Sequence, residues 1–477
     1  MKIPDTISVF GLGKLGLPLA VSWASRGFHV IGVDIRQELI QAISTGEVAD
    51  AEPPVGILLK KARSMINVTN DLNEAAEKSD VSFVIVPTPS DPNGGFSTRC
   101  VEQVLEPIGR AIGRKNRFHL VSIVSTVLPG SSDTVLRPLL DRLSGKVCGK
   151  DFGLCYNPEF IALGEVVHGL LAPDFVLIGE SDSYSGKMLA ELYERFCENH
   201  PPVVRMSLWN AELAKISVNV YVTMKISFAN TLASLCERVP GGDVDIVTRA
   251  VGLDSRIGSK YLKGGLGYGG PCFPRDNRAF SHIAEKLGNR ARLSRATDEI
   301  NADQAKQLCQ RILESLHGIE NPQVAVLGLT YKPNTFVVEE SAAVSIAESL
   351  SENGALVKCY DPAGMEQSSK TLSTKIRYAS DVSDCLSGSD FCVIATPWEE
   401  FKNLLPSMFL EKMRHPTVLD CWRILDRSKF LAEQKVRYLA VGLSLAEAGK
   451  PLLPTEHERR TYAPLISDSD VASRKNA

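Results

Sequence analysis

Short, continuous apolar runs alternate with longer amphipathic stretches from the start of the chain to about residue 205. That is the pattern of buried parallel strands joined by crossover helices. Thr6-Ile7-Ser8-Val9-Phe10 is the first run. A helix-like stretch around Leu19-Ala20-Val21-Ser22-Trp23-Ala24 follows and closes at Gly27, and His29-Val30-Ile31-Gly32-Val33-Asp34 reads as a second strand ending in an acid. Further runs lie at 81–86, 120–124, 152–156 and 174–179. Residues 209–239 break the series: they hold no proline or glycine and predict one long helix between two domains. Strand-like runs return at 324–329, 356–361, 391–396 and 417–420. The pattern predicts an α/β protein with two Rossmann-like doubly wound domains joined by a long central helix. The expected units are 1–205, a central helical region 206–300, and 301–448, with a polar, poorly ordered tail over 449–477.

The first strand runs directly into Gly11-Leu12-Gly13-Lys14-Leu15-Gly16. GxGxxG alone is a weak signal. Here it follows a strand, opens a helix and has Asp34 about 20 residues on, which is the full dinucleotide-binding context. Gly11 permits the tight turn, Gly13 lets backbone approach a pyrophosphate, and Gly16 allows close helix–strand packing, with the helix N-terminus facing the phosphate. Asp34 is placed to bind a ribose diol and to repel a 2′-phosphate, favouring NAD over NADP; the nearby Arg36 weakens that preference. A glycine turn without nucleotide is the alternative. The runs at 81–86 and 120–124 end in Pro87-Thr88-Pro89 and Ser125-Thr126. Ligands of doubly wound sheets bind at such strand ends, so Thr88 and Thr126 are either cofactor contacts or ordinary turn residues.

A second constellation lies beyond the long helix. Gly264-Gly265-Leu266-Gly267-Tyr268-Gly269-Gly270-Pro271-Cys272-Phe273-Pro274-Arg275-Asp276 sets five glycines before one cysteine and an aspartate four residues after it. Glycine at that density marks backbone that approaches something closely or uses positive φ. A flexible turn with an inert cysteine is the plain explanation; a thiol presented for chemistry, with a carboxylate one turn on, is the other. Lys215 and Asn219 share a face of the long helix, which is mostly apolar around them, so either a surface pair or a cleft-facing pair fits.

Composition narrows the classes. A chain of 477 residues, 44% hydrophobic and 23% charged, is a multidomain globular protein with ample core. A net charge of -3 leaves no basic footprint for nucleic acid and no polybasic membrane patch, and no apolar run is long enough to span a bilayer. Eleven cysteines, scattered and odd in number, fit reduced thiols in a cytoplasmic protein better than a disulfide framework. No Cys-x-x-Cys pair occurs and the eight histidines do not cluster, so no metal site is expected.

Taken together, the NAD-type turn, the Lys–Asn helix and the Gly–Cys–Asp loop resemble the UDP-glucose dehydrogenase family of nucleotide-sugar 6-dehydrogenases. The resemblance spans roughly residues 5 to 430. Gly267-Tyr268-Gly269-Gly270-Pro271-Cys272-Phe273-Pro274-Arg275-Asp276, Asn157-Pro158-Glu159-Phe160 and Ala211-Glu212-Leu213-Ala214-Lys215 with Asn219 carry it most specifically. It implies two successive hydride transfers to NAD, taking a sugar C6 alcohol to a carboxylate through a thiohemiacetal and thioester on Cys272. It further implies that Lys215 stabilises oxyanions, that Asp276 assists proton transfer, and that Asn219 orients substrate and water. Thr126 and Glu159 are implied to hold the catalytic water, with Glu159 the candidate base. Arg256, Tyr261, Gly269 and Lys332 are implied substrate contacts, Arg256 reaching the substrate of a neighbouring subunit, which implies a homodimer or larger assembly. The glycines of the loop are expected to let backbone wrap the sugar and diphosphate.

The chain departs from the family pattern in several places. Ile161-Ala162-Leu163-Gly164 stands for Leu-Arg-Glu-Gly, and Arg275 stands for a lysine. The run Thr335-Phe336-Val337-Val338-Glu339-Glu340-Ser341 lacks the usual aspartates and arginine, and Asp420-Cys421-Trp422-Arg423 displaces an arginine by one position. Only Gly328 represents the three-glycine turn in the second domain, so a dinucleotide is not expected there. UDP-glucose is the first expected substrate, with an N-acetylated UDP-sugar or GDP-mannose as alternatives. A two-electron dehydrogenase and a non-catalytic nucleotide-sugar binder are the remaining readings.

Overall fold

A computed structural model describes residues 4–48, 53–161 and 164–445. The expected tail, and Ala162 and Leu163, lie outside these residues. The first domain is built on β1 (Thr6–Phe10), β2 (His29–Val33), β3 (Ile66–Thr69), β4 (Val81–Val84), β5 (Leu120–Ile123), β6 (Gly153–Tyr156), β7 (Val176–Glu180) and β8 (Val203–Ser207), in the order β3-β2-β1-β4-β5-β6-β7-β8. All neighbours pair in parallel except β6 and β7. The second sheet, from β9 (Gln323–Leu327), β10 (Leu356–Tyr360), β11 (Arg377–Tyr378), β12 (Phe391–Ile394), β13 (Thr417–Asp420) and β14 (Arg437–Ala440), has the order β11-β10-β9-β12-β13-β14. Both sheets therefore start with the Rossmann arrangement, in which the chain reverses direction beside the first strand.

Helices cover both faces of each sheet, so the central strands are buried throughout; every residue of β4, β5 and β12 is buried. On one face of the first sheet Trp23 stacks on Phe196 with 4.0 Å between ring centres and meets Phe28 edge-on. Phe10 pairs with Val33 of β2 and with Val84 of β4. That register levels the carboxyl ends of three strands, so Gly11, Asp34 and the segment leading to Thr88 lie along one edge.

The long helix Leu208–Arg238 starts directly after β8, with the Ser207 hydroxyl accepting from the Asn210 amide at 3.4 Å. Glu212 on its first turns accepts from the Gly130 and Ser132 amides at 2.5 and 2.8 Å, which fastens the helix to the loop after β5. Arg423 is one of the residues that tie the C-terminal domain to the central region. Its guanidinium is bidentate to Asp245 at 2.8 and 2.9 Å and donates to the Gly264 carbonyl at 2.7 Å. The displaced arginine of the sequence is thus an interdomain tie.

Candidate active site

At the edge of the first sheet, glycine chemistry accounts for the cofactor turn. Gly11 sits at φ +96°, and a Cβ there would lie 2.4 Å from the Ile85 carbonyl oxygen. One on Gly16 would lie 1.8 Å from the Gly11 carbonyl oxygen. Gly13, by contrast, has nothing within 4 Å of a Cβ, which leaves the room a pyrophosphate needs. Asp34 accepts from the Leu12 amide at 2.9 Å and from the Arg36 side chain at 3.0 Å through both carboxylate oxygens. Burial works against charge on Asp34, but the Arg36 and Leu12 hydrogen bonds outweigh it and hold the carboxyl below its ordinary value. Thr88 is buried and donates to the Thr126 carbonyl at 2.7 Å, joining two strand ends into one shelf. These residues fit NAD.

The second domain has a single-glycine turn and an acid at the corresponding positions. Gly328 makes the tight turn at φ +94°. Asp361, at the end of β10, is spent internally: its Oδ2 accepts from the Leu329 and Thr330 amides at 2.7 and 3.0 Å and from Trp398 Nε1 at 3.1 Å.

Between the two domains lies a cavity of about 680 Å³. Glu159, Lys215, Asn219, Tyr261, Gly269, Cys272 and Lys332 all line it, although they come from well separated stretches of the chain. Cys272 is the residue before the helix Phe273–Lys286 and the one exposed cysteine of the eleven. Its backbone carbonyl accepts from the Asp276 amide at 2.8 Å, so the thiol and the carboxylate stand one turn apart. Crowding by protein pushes the thiol up, Asp276 adds to this, and Lys215 and Arg275 oppose it.

Lys215 is buried; its ammonium donates to the Glu159 carbonyl oxygen and lies 4.6 Å over the Phe160 ring. Desolvation lowers its pKa, against Asp276, Cys272 and Glu159. Glu159 is pushed up to about 7 by burial, with Lys215 and the Tyr193 hydroxyl opposing. A carboxyl poised near neutral pH beside a cation is suited to giving and taking protons. Asn219 Nδ2 donates to Asp276 Oδ2 at 2.6 Å.

Three expected site residues lie off this cavity. Asp276 is buried behind Asn219, Thr126 belongs to the cofactor shelf, and Arg256 is surface-exposed, its side chain 87% accessible and paired with Asp254 at 2.6 Å. Several of the loop glycines also approach protein closely. A Cβ on Gly265 would meet the Trp422 ring at 2.7 Å, on Gly267 the Asn301 side chain at 2.5 Å, on Gly269 the Glu340 carbonyl at 2.1 Å, and on Gly270 the Tyr331 ring at 2.7 Å. The loop is a seam against the C-terminal domain, sealed by the Gly270 amide donating to the Glu339 carbonyl at 3.0 Å. Trp422 and Arg423 stand out in the sequence as a departure from the family pattern, but nothing there places them, or Tyr331, against residues 264–270.

A dinucleotide turn on one side of a cleft and a thiol, an amine and a near-neutral carboxyl on the other define a dehydrogenase of the two-Rossmann type. Comparison with known proteins makes the class specific. Residues 5–197 match the NAD binding domain of the UDP-glucose/GDP-mannose dehydrogenase family, 209–303 its central domain and 325–427 its UDP binding domain, and the chain belongs to that family. It is an NAD-dependent nucleotide-sugar dehydrogenase. UDP-glucose 6-dehydrogenase AglM of Haloferax volcanii is 33% identical over 428 residues, which are 89% of this chain and 98% of that protein. GDP-mannose 6-dehydrogenase of Pseudomonas putida is 35% identical over 360 residues, 74% of this chain and 80% of that protein. The structure of a UDP-glucose dehydrogenase from Pyrobaculum islandicum superposes with a TM-score of 0.83 at 33% identity, covering 92% of this chain and 98% of that one. Among the described residues, no group of His, Cys, Asp and Glu is arranged to hold a metal ion, and no helix is long and apolar enough to cross a membrane.

Proposed function

We propose that this chain oxidises the C6 hydroxyl of UDP-glucose to the carboxylate of UDP-glucuronate through a covalent intermediate on Cys272. The observation that carries this reading is the convergence of Cys272, Lys215, Asn219 and Glu159 on one interdomain cavity beside the NAD domain. Gly11, Gly13, Gly16, Asp34, Thr88 and Thr126 hold the cofactor, and Tyr261, Gly269 and Lys332 contact the nucleotide-sugar. NAD, when bound, accepts a hydride in each of the two oxidations.

In the first oxidation Lys215 stabilises the developing alkoxide, its charge being worth most in a site shielded from water. The aldehyde that results cannot be oxidised further without a heteroatom on its carbonyl carbon. The Cys272 sulfur supplies it: the thiol proton passes to a neighbouring base, the C–S bond forms, and the thiohemiacetal oxygen rests near Lys215 and Asn219. Loss of the carbon-bound hydrogen as hydride leaves a thioester. Glu159 then takes a proton from water as it attacks the thioester carbon, and the sulfur leaves as thiol, restoring Cys272. Asp276, held by Asn219, keeps the amide oriented and favours the charged form of Lys215.

The assembly is a cytoplasmic homodimer or larger. The long helix presents Leu213, Tyr221, Phe228 and Leu235 to solvent, an apolar line that a second copy would cover. Arg256 stands clear of its own cavity, as a residue serving a neighbour's substrate would. GDP-mannose is the second reading, because the GDP-mannose relative is as similar in identity as the UDP-glucose one. A panel of UDP-, GDP- and dTDP-sugars followed by NADH absorbance decides between them. UDP-glucose should give the highest kcat/KM, with about two NADH per sugar. A ratio of one would mean a two-electron enzyme, and no NADH with any sugar would leave a binding protein.

A further inference from the structure

Arg275 occupies a junction that the reaction as described leaves unused. It lies on the thiol helix, three residues after Cys272 and one before Asp276. Its guanidinium stacks 4.4 Å over the Phe96 ring, and Nη1 donates to the Thr88 carbonyl at 3.2 Å. Both partners belong to the excursion after β4, which closes on itself through the Ser90–Phe96 bridge and the Asp91 carboxylate accepting from the Gly95 amide at 2.9 Å. Thr88 in turn donates to the Thr126 carbonyl. One side chain therefore joins the thiol helix to both strand ends of the cofactor shelf.

On its other side Arg275 faces the thiol's own carboxylate. Nε lies 3.6 Å from Asp276 Oδ1, too far for a hydrogen bond. Both atoms are buried and have no hydrogen-bond partner. Buried polar atoms left open beside a reacting centre are costly unless they serve it or share a water. Neither residue lines the cavity, so Arg275 acts through Cys272 and Asp276 rather than on substrate.

We propose that Arg275 is a positioning residue that locks the thiol-bearing helix to the cofactor shelf while holding a fixed positive charge beside Cys272 and Asp276. Lysine cannot replace it in both tasks. A compact ammonium keeps the charge but cannot lie flat on Phe96 while also reaching Thr88. The proposal rests on reading Cys272 as the reacting thiol and Thr88 as part of the cofactor site. The charged and titratable groups that act most on the thiol are Asp276 and Arg275 on its own helix, Lys215 on the long helix, and Glu339 on the C-terminal domain, while Glu159, Lys260, Tyr261, Tyr331 and Lys332 line the same cavity. Lys215 and Arg275 are the cations with the largest effect on it.

The test is the pH dependence of Cys272 alkylation by iodoacetamide in the full-length protein, which reads thiolate formation whether or not the thiol is catalytic. Arg275→Gln should move the midpoint up by about one pH unit. Arg275→Lys and Phe96→Leu should leave it in place yet lower kcat/KM for NAD about tenfold, because thiol and cofactor lose their fixed spacing. A purely structural arginine would lower the melting temperature and leave the alkylation midpoint unmoved in Arg275→Gln, which would overturn the electrostatic half. Wild-type kinetics in both Arg275→Lys and Phe96→Leu would overturn the other. A Cys272→Ser protein that still makes acid would refute the covalent route while leaving the alkylation result standing.

Discussion

Glu159→Gln is the substitution whose effect follows most directly from the site. Raising a glutamate from 4.5 to about 7 means that its ionised form is disfavoured in the folded protein by roughly 3 kcal/mol. Burial is the cause, and Lys215 recovers part of the loss. If Glu159 is the base that deprotonates water, acid formation must rise with pH as Glu159 ionises. The profile of kcat should then climb about tenfold per unit below its midpoint near 7 and flatten above it. Any limb from Cys272 lies higher, because burial raises the thiol, so the two are separable. The amide keeps the shape of the acid and cannot accept a proton; kcat should fall by about 10²–10⁴ and the limb near 7 should vanish. Lys215→Met removes the cation that favours the carboxylate, so it should shift the midpoint upward while lowering the rate. The assay is steady-state NADH release at saturating sugar and NAD between about pH 5.5 and 9. Persistence of the same limb in Glu159→Gln would show that another group is the base.

Other consequences can be tested separately. Gly269→Ala would place a methyl 2.1 Å from the Glu340 carbonyl, so the seam must shift; stability should drop by about 1–3 kcal/mol in urea titration and kcat should fall with it. Arg36→Ala frees Asp34 from its bidentate partner, and the preference for NAD over NADP, read as a ratio of kcat/KM values, should increase. An equal fall for both cofactors would contradict that role. Lys115 is buried and donates to the Ala76 and Ser79 carbonyls and contacts His119. Lys115→Ala leaves these groups unpaired and should cost roughly 2–4 kcal/mol by denaturant unfolding, without changing KM for either substrate.

Much of the architecture was readable from periodicity alone. The central strands are buried on both faces and appear as unbroken apolar runs, so β1, β2 and β13 fall where the runs at 6–10, 29–34 and 417–420 place them. Four strands escaped that reading, β3, β8, β11 and β14, because all four are sheet-edge strands and carry exposed or half-buried residues that break the apolar run. The reversed direction of β7 was also hidden, since orientation depends on the path of the connection rather than on composition. For the site, the spacing of Lys215 and Asn219 and of Cys272 and Asp276 already put each pair on one helix face. What spacing cannot say is which distant segment meets them. Glycine density announced close approach at 264–270, and the neighbours that only the structure names include Tyr331, Glu340 and Trp422 of the C-terminal domain. Arg275 stands in the sequence as a departure that keeps lysine's charge but changes its shape and hydration, and only the positions of Phe96 and Thr88 show what that shape meets.

The covalent role of Cys272 is tested most directly by trapping the intermediate. Glu159→Gln protein mixed with UDP-glucose and excess NAD, acid-quenched and digested, should yield the Cys272 peptide carrying the UDP-glucuronyl group as a thioester that hydroxylamine releases. An unmodified Cys272 peptide, recovered while the variant still converts sugar to acid, would contradict the account.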